Sequence, residues 1–462
     1  MTAPTPRNGH VSFWWTQAAR GEPRHPLEES MTADVCIVGA GFTGLWTAYY
    51  LKRAAPHLRI VVLEQRFAGY GASGRNGGWL TNAITGGREQ YVAGHGREAV
   101  AAFQAAMNAT VDEVVRVASA EGIDADIRIG GEFTVAYNAP QQRRLEAAAL
   151  AEGAWAGTDV RLLDAGEATA RINVAGTTGA MWHPHCARVH PAKLVAGLAR
   201  VVEALGVELY EDTAVTEILP RHAVTARGTV TADVVVRATE GFTAALPGLH
   251  RAWLPMNSSL IATAPLPDSA WADIRWQGGE VLGDMAHAYM YAQRTADGRI
   301  AIGGRGVPYR FGSRTDSDGA TQAATVAQLR EVLHRFFPST ADVAIEHVWS
   351  GVLGVPRDWA ATVGLDRAAG LAWAGGYVGT GVTATNLAGR TLTDLILGHD
   401  TELVALPWVG HRVRNWEVEP LRWIAVQSLY GAYRAADRAE QRGRVTTSPL
   451  ASLADRVSGR GH

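Results

Sequence analysis

Two short apolar runs bracket an amphipathic stretch near the start of the chain. ADVCIVGAG (residues 33–41) and RIVVLE (residues 59–64) are continuous enough to be strands buried on both faces, while FTGLWTAYYLKRA (residues 42–54) repeats its apolar positions at helical spacing until Pro56 closes it. Together they predict one strand–helix–strand unit of a parallel sheet. The strand pattern returns in TADVVVRATEG (residues 231–241), a third strand of the same sheet, and in LAWAGG (residues 371–376), which leads into a helix capped by Gly398. Between these pieces the pattern changes. Residues 97–122 carry a long helical periodicity, GGEFTVAYN (residues 130–138) is strand-like, and a charged helix begins near Pro140. PAKLVAGLARVVEALG (residues 191–206) predicts a helix with Pro191 at its first position and Gly206 at its end. Residues 251–350 alternate apolar and polar in short runs between Asp-Gly and Gly-Gly turns, the signature of an antiparallel sheet. The fold class is therefore α/β with an α+β second domain, a discontinuous Rossmann-like domain interrupted twice by antiparallel material. Residues 1–30 form an irregular arm, and the chain after about residue 443 is a polar tail.

Composition narrows the partners. The chain has 462 residues, 47% of them hydrophobic, and a net charge of -2 without a basic block, so nucleic acid is not an expected ligand and small molecules are. Cys36 and Cys186 stand far apart in no paired spacing, which suits a reducing, cytoplasmic setting. No run of 18 apolar residues and no secretory leader pattern is found, so neither a membrane span nor export is expected.

The chemistry begins where the first strand ends. Gly39-Ala40-Gly41-Phe42-Thr43-Gly44 fits G-x-G-x-x-G between a strand and a helix, and Glu64 lies 20 residues past the last glycine at the end of the next strand. Gly39 permits the tight turn, Gly41 lets a pyrophosphate approach the helix N-terminus, Gly44 lets helix and strand pack, and Glu64 can accept from a ribose hydroxyl. The fingerprint serves NAD and FAD alike. The long delay before the third strand and the closing strand-and-helix leaves a long cofactor spanning two domains.

VGAGFTGL, Glu64, GASGRNGG (residues 71–78), ADVVVRATEG and GGYVGTGV (residues 375–382) together resemble the FAD-dependent amine and amino-acid oxidoreductases, the family of D-amino acid, glycine and sarcosine oxidases. GASGRNGG followed by HPAKLVAGL most resembles the gamma-glutamylputrescine oxidoreductase-like group, and the similarity extends over about residues 30–400. The resemblance implies FAD, and since the family's flavin-tethering cysteine falls near Leu353, the FAD is expected to be bound without a covalent link. The same resemblance implies an FAD-binding domain from residues 31–94, 165–250 and 351–400, a substrate-binding domain from 95–164 and 251–350, and a C-terminal helical extension and tail over 401–462. Beside the fingerprint residues, Gln65, Val215 and Thr239 would serve the cofactor, the backbone of Val215 at the adenine. Gly71, Ala72, Ser73, Arg75, Asn76, Gly77 and Gly78 would wrap it from the pyrophosphate to the isoalloxazine. Gly376, Gly379, Thr380, Gly381 and Val382 would meet the flavin N1 and C2 carbonyl edge; many relatives carry histidine where Thr380 stands.

The implied reaction takes a hydride from a carbon bearing a neutral primary or secondary amine, giving an imine that water hydrolyses, with oxygen, forming hydrogen peroxide, or another electron acceptor reoxidising the flavin. Positioning and desolvation matter more here than an acid–base dyad. Tyr289, Tyr291 and Gln293 share one strand face by period two and, with Thr380, are the candidate substrate-side residues; Trp79 and Trp349 are candidate walls. The alternatives are a hydroxy-acid or alcohol dehydrogenase passing electrons to a quinone or other carrier, and a flavin-binding sensor without turnover. Three departures from the family bear on the choice. The arginine that sarcosine-oxidase-like enzymes set against a carboxylate falls at Gly78, their oxygen-activating lysine near Ala301, and their flavin-tethering cysteine near Leu353. WHPHCARVH offers His183, His185, Cys186 and His190, but the spacing matches no zinc signature, and no metal is expected. Residues 421–442 predict an amphipathic helix with Trp423, Val426, Leu429 and Tyr433 on one side, docked on its own chain.

Overall fold

The computed structural model describes residues 5–304, 308–315, 318–449, 451 and 454. Most of the polar tail beyond residue 449 lies outside the described residues.

Five parallel strands run in the order Glu208–Tyr210, Ile60–Leu63, Met31–Val38, Gly228–Arg237 and Leu371–Gly375. The apolar runs are continuous because both faces are buried. Val35, Ile37, Ile60 and Val62 pack into one core with the helices, while Cys36, Val38, Val61 and Leu63 pack into another with Leu27, Ala223 and Val230. Helix Phe42–Ala54 follows the first strand through Gly39, whose φ of +109° and 2.6 Å hypothetical Cβ distance to the Ala238 carbonyl exclude a side chain. A Cβ at Gly44 would collide with the Gly39 carbonyl, so the helix can seat against the turn only through glycine. Helix Gly381–Leu397 crosses Phe42–Ala54 and ends at Gly398 in the left-handed conformation. Helix Pro191–Ala204 begins at its proline, with the His190 ring accepting the Lys193 N–H at 3.2 Å.

A nine-stranded sheet forms the second layer. Its central strands, Ile345–Val355, Leu254–Thr263, Ile300–Gly304, Met290–Arg294 and Val281–Asp284, are antiparallel, as the alternation over residues 251–350 predicts. It then recruits earlier chain. Glu132–Ala136 pairs parallel with Val281–Asp284, and Gly179–His183 and Arg161–Asp164 follow it outward. At the other edge Arg7–Asn8 pairs with Ile345–Val355. The N-terminal arm is thus irregular without being loose. Phe13 and Trp14 are fully buried, the Trp14 indole donates to the Asn76 carbonyl at 2.8 Å, and the Ser12 hydroxyl donates to the Gly74 carbonyl at 2.7 Å.

The C-terminal helix Leu421–Gln441 docks on its own chain through Val426, Tyr430 and Tyr433, with Leu429 partly packed. Trp423 departs from the predicted face: it is 37% exposed and meets the edge of Phe311 at 6.2 Å. The docking ends in polar contacts. Asp437 accepts the N–H groups of His287 and Ala288, each at 2.9 Å, and Glu440 pairs with Arg144 at 2.8 Å. Among the described residues no helix is long and apolar enough to cross a membrane.

Candidate active site

A cavity of about 410 Å³ opens at the carboxyl ends of the parallel strands, where Val38 and Leu63 finish. This is where open α/β sheets place their ligands. Gly39, Gly41, Phe42, Thr43, Glu64 and Gln65 line one end of it, with Val215 and Thr239 beside them. Gly71, Ala72, Ser73 and Asn76 form one flank, and Gly379, Gly381 and Val382 the far end. Gly44 and Gly376 do not line this cavity; Gly44 serves the turn, and the Gly376 N–H is held by a carboxylate at 2.8 Å.

Local geometry explains the glycine-rich loop. The Ser73 hydroxyl accepts the Phe42 N–H at 2.8 Å, so the loop sits directly on the helix N-terminus. Asn76 folds the loop on itself, donating to the Ser73 carbonyl at 2.9 Å and accepting the Gly78 N–H at 2.8 Å. Arg75 is buried, donates to the Tyr70 carbonyl at 2.7 Å and stacks 4.3 Å over the Tyr70 ring. Glu64 accepts the N–H groups of Ala40 at 2.9 Å and Arg66 at 3.0 Å. Burial nevertheless pushes its carboxyl up to about 7, against the pull of those two donors.

The charged residue of this cavity that the sequence does not single out is Glu240. Glu240, at a φ of 40°, accepts from Gly376 N–H at 2.8 Å, Gly354 N–H at 3.2 Å and Tyr377 N–H at 3.3 Å. It therefore ties together the ends of three strands. Burial raises its pKa to about 7, and the three N–H donors and Arg237 offset part of that rise. The TEG at the end of the third strand was its only local sign.

A second cavity, of about 240 Å³, joins the first at Ala72, Asn76, Leu353, Gly379 and Val382, which line both. Arg75, Gly77, Trp79, Tyr289, Tyr291 and Thr380 line it, together with Glu132 and Asp284. Its floor is one face of the nine-stranded sheet. Thr134, Gly283 and Tyr291 stand in register across three strands. Tyr291 is wedged between two bare backbones: a Cβ on Gly77 would come within 2.7 Å of the ring, and one on Gly303 would collide with it. Its hydroxyl shares a 2.7 Å hydrogen bond with Ser258, and Trp79 meets the ring edge-on at 6.2 Å. The Thr380 hydroxyl donates to the Tyr377 carbonyl at 2.9 Å and bonds Thr85 at 2.7 Å.

Other expected residues stand elsewhere. Gln293 lines neither cavity; its amide donates to the carbonyls of Gly77, at 2.7 Å, and Val189, so it braces the glycine loop from behind. Trp349 also lines neither cavity. Its indole donates to the Arg75 carbonyl at 2.9 Å and packs on Trp14. Gly78 lies outside both cavities with φ +71°, and a Cβ there would collide with the Gln293 amide and the Val189 carbonyl. The missing clamp thus has a packing cause: position 78 has no room for any side chain. Ala301 is buried in its strand, whereas Leu353 lies where the two cavities meet. Neither Cys36 nor Cys186 lines these two cavities; both are buried.

The histidines of WHPHCARVH go separate ways. His183 approaches Glu132 at 3.6 Å, His185 meets Asp159 at 2.7 Å, His190 caps its helix, and Cys186 is buried in a small sheet. Among the described residues, His287, Asp437 and Glu440 do converge within 4.8 Å of one another. Their carboxylates are taken by backbone N–H groups and by Arg144.

The two joined cavities suit a dinucleotide laid from Val215 to Val382: bare backbone at the first helix N-terminus for a pyrophosphate, an acid at Glu64 for a ribose, and a second helix N-terminus at Gly381. Replacing Glu64 by alanine would remove a charge-assisted bond to that ribose worth about 1.5–3 kcal/mol, and flavin retained after exhaustive dialysis should fall accordingly. Unchanged flavin content in Glu64→Ala would count against this assignment.

Comparison with known proteins agrees with this geometry. Residues 34–395 match the family model described as FAD dependent oxidoreductase. The chain is 32% identical over 394 residues to the gamma-glutamylputrescine oxidoreductase of Escherichia coli, covering 84% of this chain and 89% of that protein. It is 28% identical to a probable oxidoreductase, OrdL, of Haemophilus influenzae, covering 82% of this chain and 86% of that one. In structure it resembles the glycine oxidase of Geobacillus kaustophilus, with a TM-score of 0.68 at 22% identity, over 82% of this chain and 99% of that one.

Proposed function

Since the chain belongs to the FAD dependent oxidoreductase family, with FAD as its cofactor, we propose that it oxidises a primary or secondary amine at a C–N bond. The product is an imine that water hydrolyses to a carbonyl compound, with oxygen as electron acceptor and hydrogen peroxide as second product. When bound, FAD supplies the hydride acceptor. Phe42 and Ser73 at the helix N-terminus would hold its pyrophosphate, Glu64 its ribose, and Ala72, Asn76, Gly379, Gly381 and Val382 its ring. Tyr291, fixed by two glycines and by Ser258, presents one polar edge to a substrate nitrogen, while Trp79 and Leu353 exclude water.

The observation that carries this reading is the charge of the substrate cavity. Arg75, the one cation among its described lining residues, is engaged by the Tyr70 carbonyl and ring, and two acids face it. Such a lining favours amines over amino acids or hydroxy acids, whose carboxylates need a clamp. The E. coli relative, an oxidoreductase of gamma-glutamylputrescine by name, supports an amine substrate. The two free, buried cysteines suit a cytoplasmic protein. Anaerobic titration of the yellow protein with an amine panel is the test. Bleaching by amines upholds the proposal; bleaching by 2-hydroxy acids alone would replace it with the dehydrogenase alternative. Peroxide release in air checks the acceptor.

A further inference from the structure

The substrate cavity contains two carboxyl groups, Glu132 and Asp284, in different states. Asp284 is bound up in the fold. One oxygen accepts the Met290 N–H at 3.0 Å, the other the Tyr137 hydroxyl at 3.3 Å, and burial pushes its pKa up to about 7. Glu132 is not. Its Oε2 accepts the Thr81 hydroxyl at 2.7 Å and faces His183 Nε2 at 3.6 Å, while Oε1 has no hydrogen-bond partner among the described residues. Burial raises the Glu132 carboxyl, but the neighbouring His183 ring and the Thr81 hydroxyl outweigh it and hold the pKa below the usual range. One cavity wall therefore carries a carboxylate beside an imidazole, with an acceptor oxygen left over.

Its position decides what that carboxylate can do. The residues common to both cavities mark where substrate meets cofactor, and Glu132 is not among them. Glu132 and Thr134 lie on one face of their strand, and Thr134 is in line, through Gly283, with Tyr291. A group at Glu132 thus sits about two residues along the strand, roughly 7 Å, from the Thr134–Tyr291 row. A carboxylate so placed is remote from the reacting nitrogen, and a partly desolvated charge of this kind is best matched by a cation. We infer that Glu132 binds a second, protonated amino group of the substrate, remote from the C–N bond that is oxidised, so that the enzyme selects diamines and their derivatives over monoamines. Glu132 is then a specificity residue, with Thr81 and His183 fixing its orientation. The inference rests on the amine reading given above.

The test uses the FAD-loaded protein, the α,ω-diaminoalkanes of three to six carbons and the n-alkylamines of matching length. Wild-type kcat/KM should favour the best diamine over its monoamine about tenfold or more, and Glu132→Gln should shrink that ratio at least about tenfold, chiefly through KM. Glu132→Asp should recover part of the preference and move it toward a longer diamine. Calorimetric titration with the best diamine should show weaker binding in Glu132→Gln at unchanged flavin content, which separates lost recognition from misfolding. Amines that bleach the flavin with no diamine preference, or with a preference that survives in Glu132→Gln, would overturn the inference and leave the amine reading standing. If no amine bleaches the flavin, the amine reading fails instead, and loss of diamine binding in Glu132→Gln then decides the role of Glu132 on its own.

Discussion

Replacing Glu240 by alanine is expected to destabilise the protein by about 3–5 kcal/mol, more than removing any surface ion pair. Three backbone N–H groups, of Gly354, Gly376 and Tyr377, converge on this one carboxyl, and all three residues are buried. Alanine would leave all three without their carboxylate acceptor. The deficit should depend on pH. The folded carboxyl is pushed up to about 7 from the ordinary glutamate value of 4.5, so its stabilising contribution is complete below about 4.5 and declines as pH rises through about 7. Urea midpoints of wild type and Glu240→Ala should therefore differ most at about pH 5 and converge toward about pH 8.5. A gap that is constant across this window, or one that widens with pH, would contradict the assignment.

Gly78→Ala should be nearly as damaging, at about 2–4 kcal/mol, with loss of bound flavin. The backbone at 78 is left-handed, and the added methyl would strike both the Gln293 amide and the Val189 carbonyl. Only the amide can turn aside, and doing so releases its hold on the Gly77 carbonyl. Gly78→Arg, the change that would imitate a carboxylate clamp, should give a protein poor in flavin and not one with a new taste for amino acids. Flavin absorbance after gel filtration and the urea midpoint check both variants. Full flavin content in Gly78→Ala would show that the loop tolerates what this packing forbids.

How far the sequence speaks for the structure depends on how local each constraint is. Ile60–Leu63 is legible because burial on both faces demands an unbroken apolar run. Gly39 and Gly44 are legible because the turn they make is closed within a few residues. Glu240 is not, since its partners lie more than a hundred residues away and nothing in TEG points to them. Glu132 is hidden for a like reason, its orientation being set by Thr81 and His183, each 51 residues away. Gln293 shows a subtler limit. Period two puts it on the face of Tyr291, but the glycine loop covers that part of the strand and claims the amide. Gly78 shows the converse: an absence that looks like a functional vacancy is required by close packing.

The wedging of Tyr291 between Gly77 and Gly303 has a thermodynamic consequence. One backbone belongs to the loop that flanks the cofactor and the other to the sheet beneath the substrate, so a single ring reports the state of each to the other. A ligand that presses on Tyr291 must also favour one placement of the loop, and by reciprocity whatever seats the loop must favour that ligand. Occupancy of the two cavities is then expected to be coupled: a bound substrate should change the rate at which the flavin escapes, and the apoprotein should bind substrate with an affinity different from that of the holoprotein.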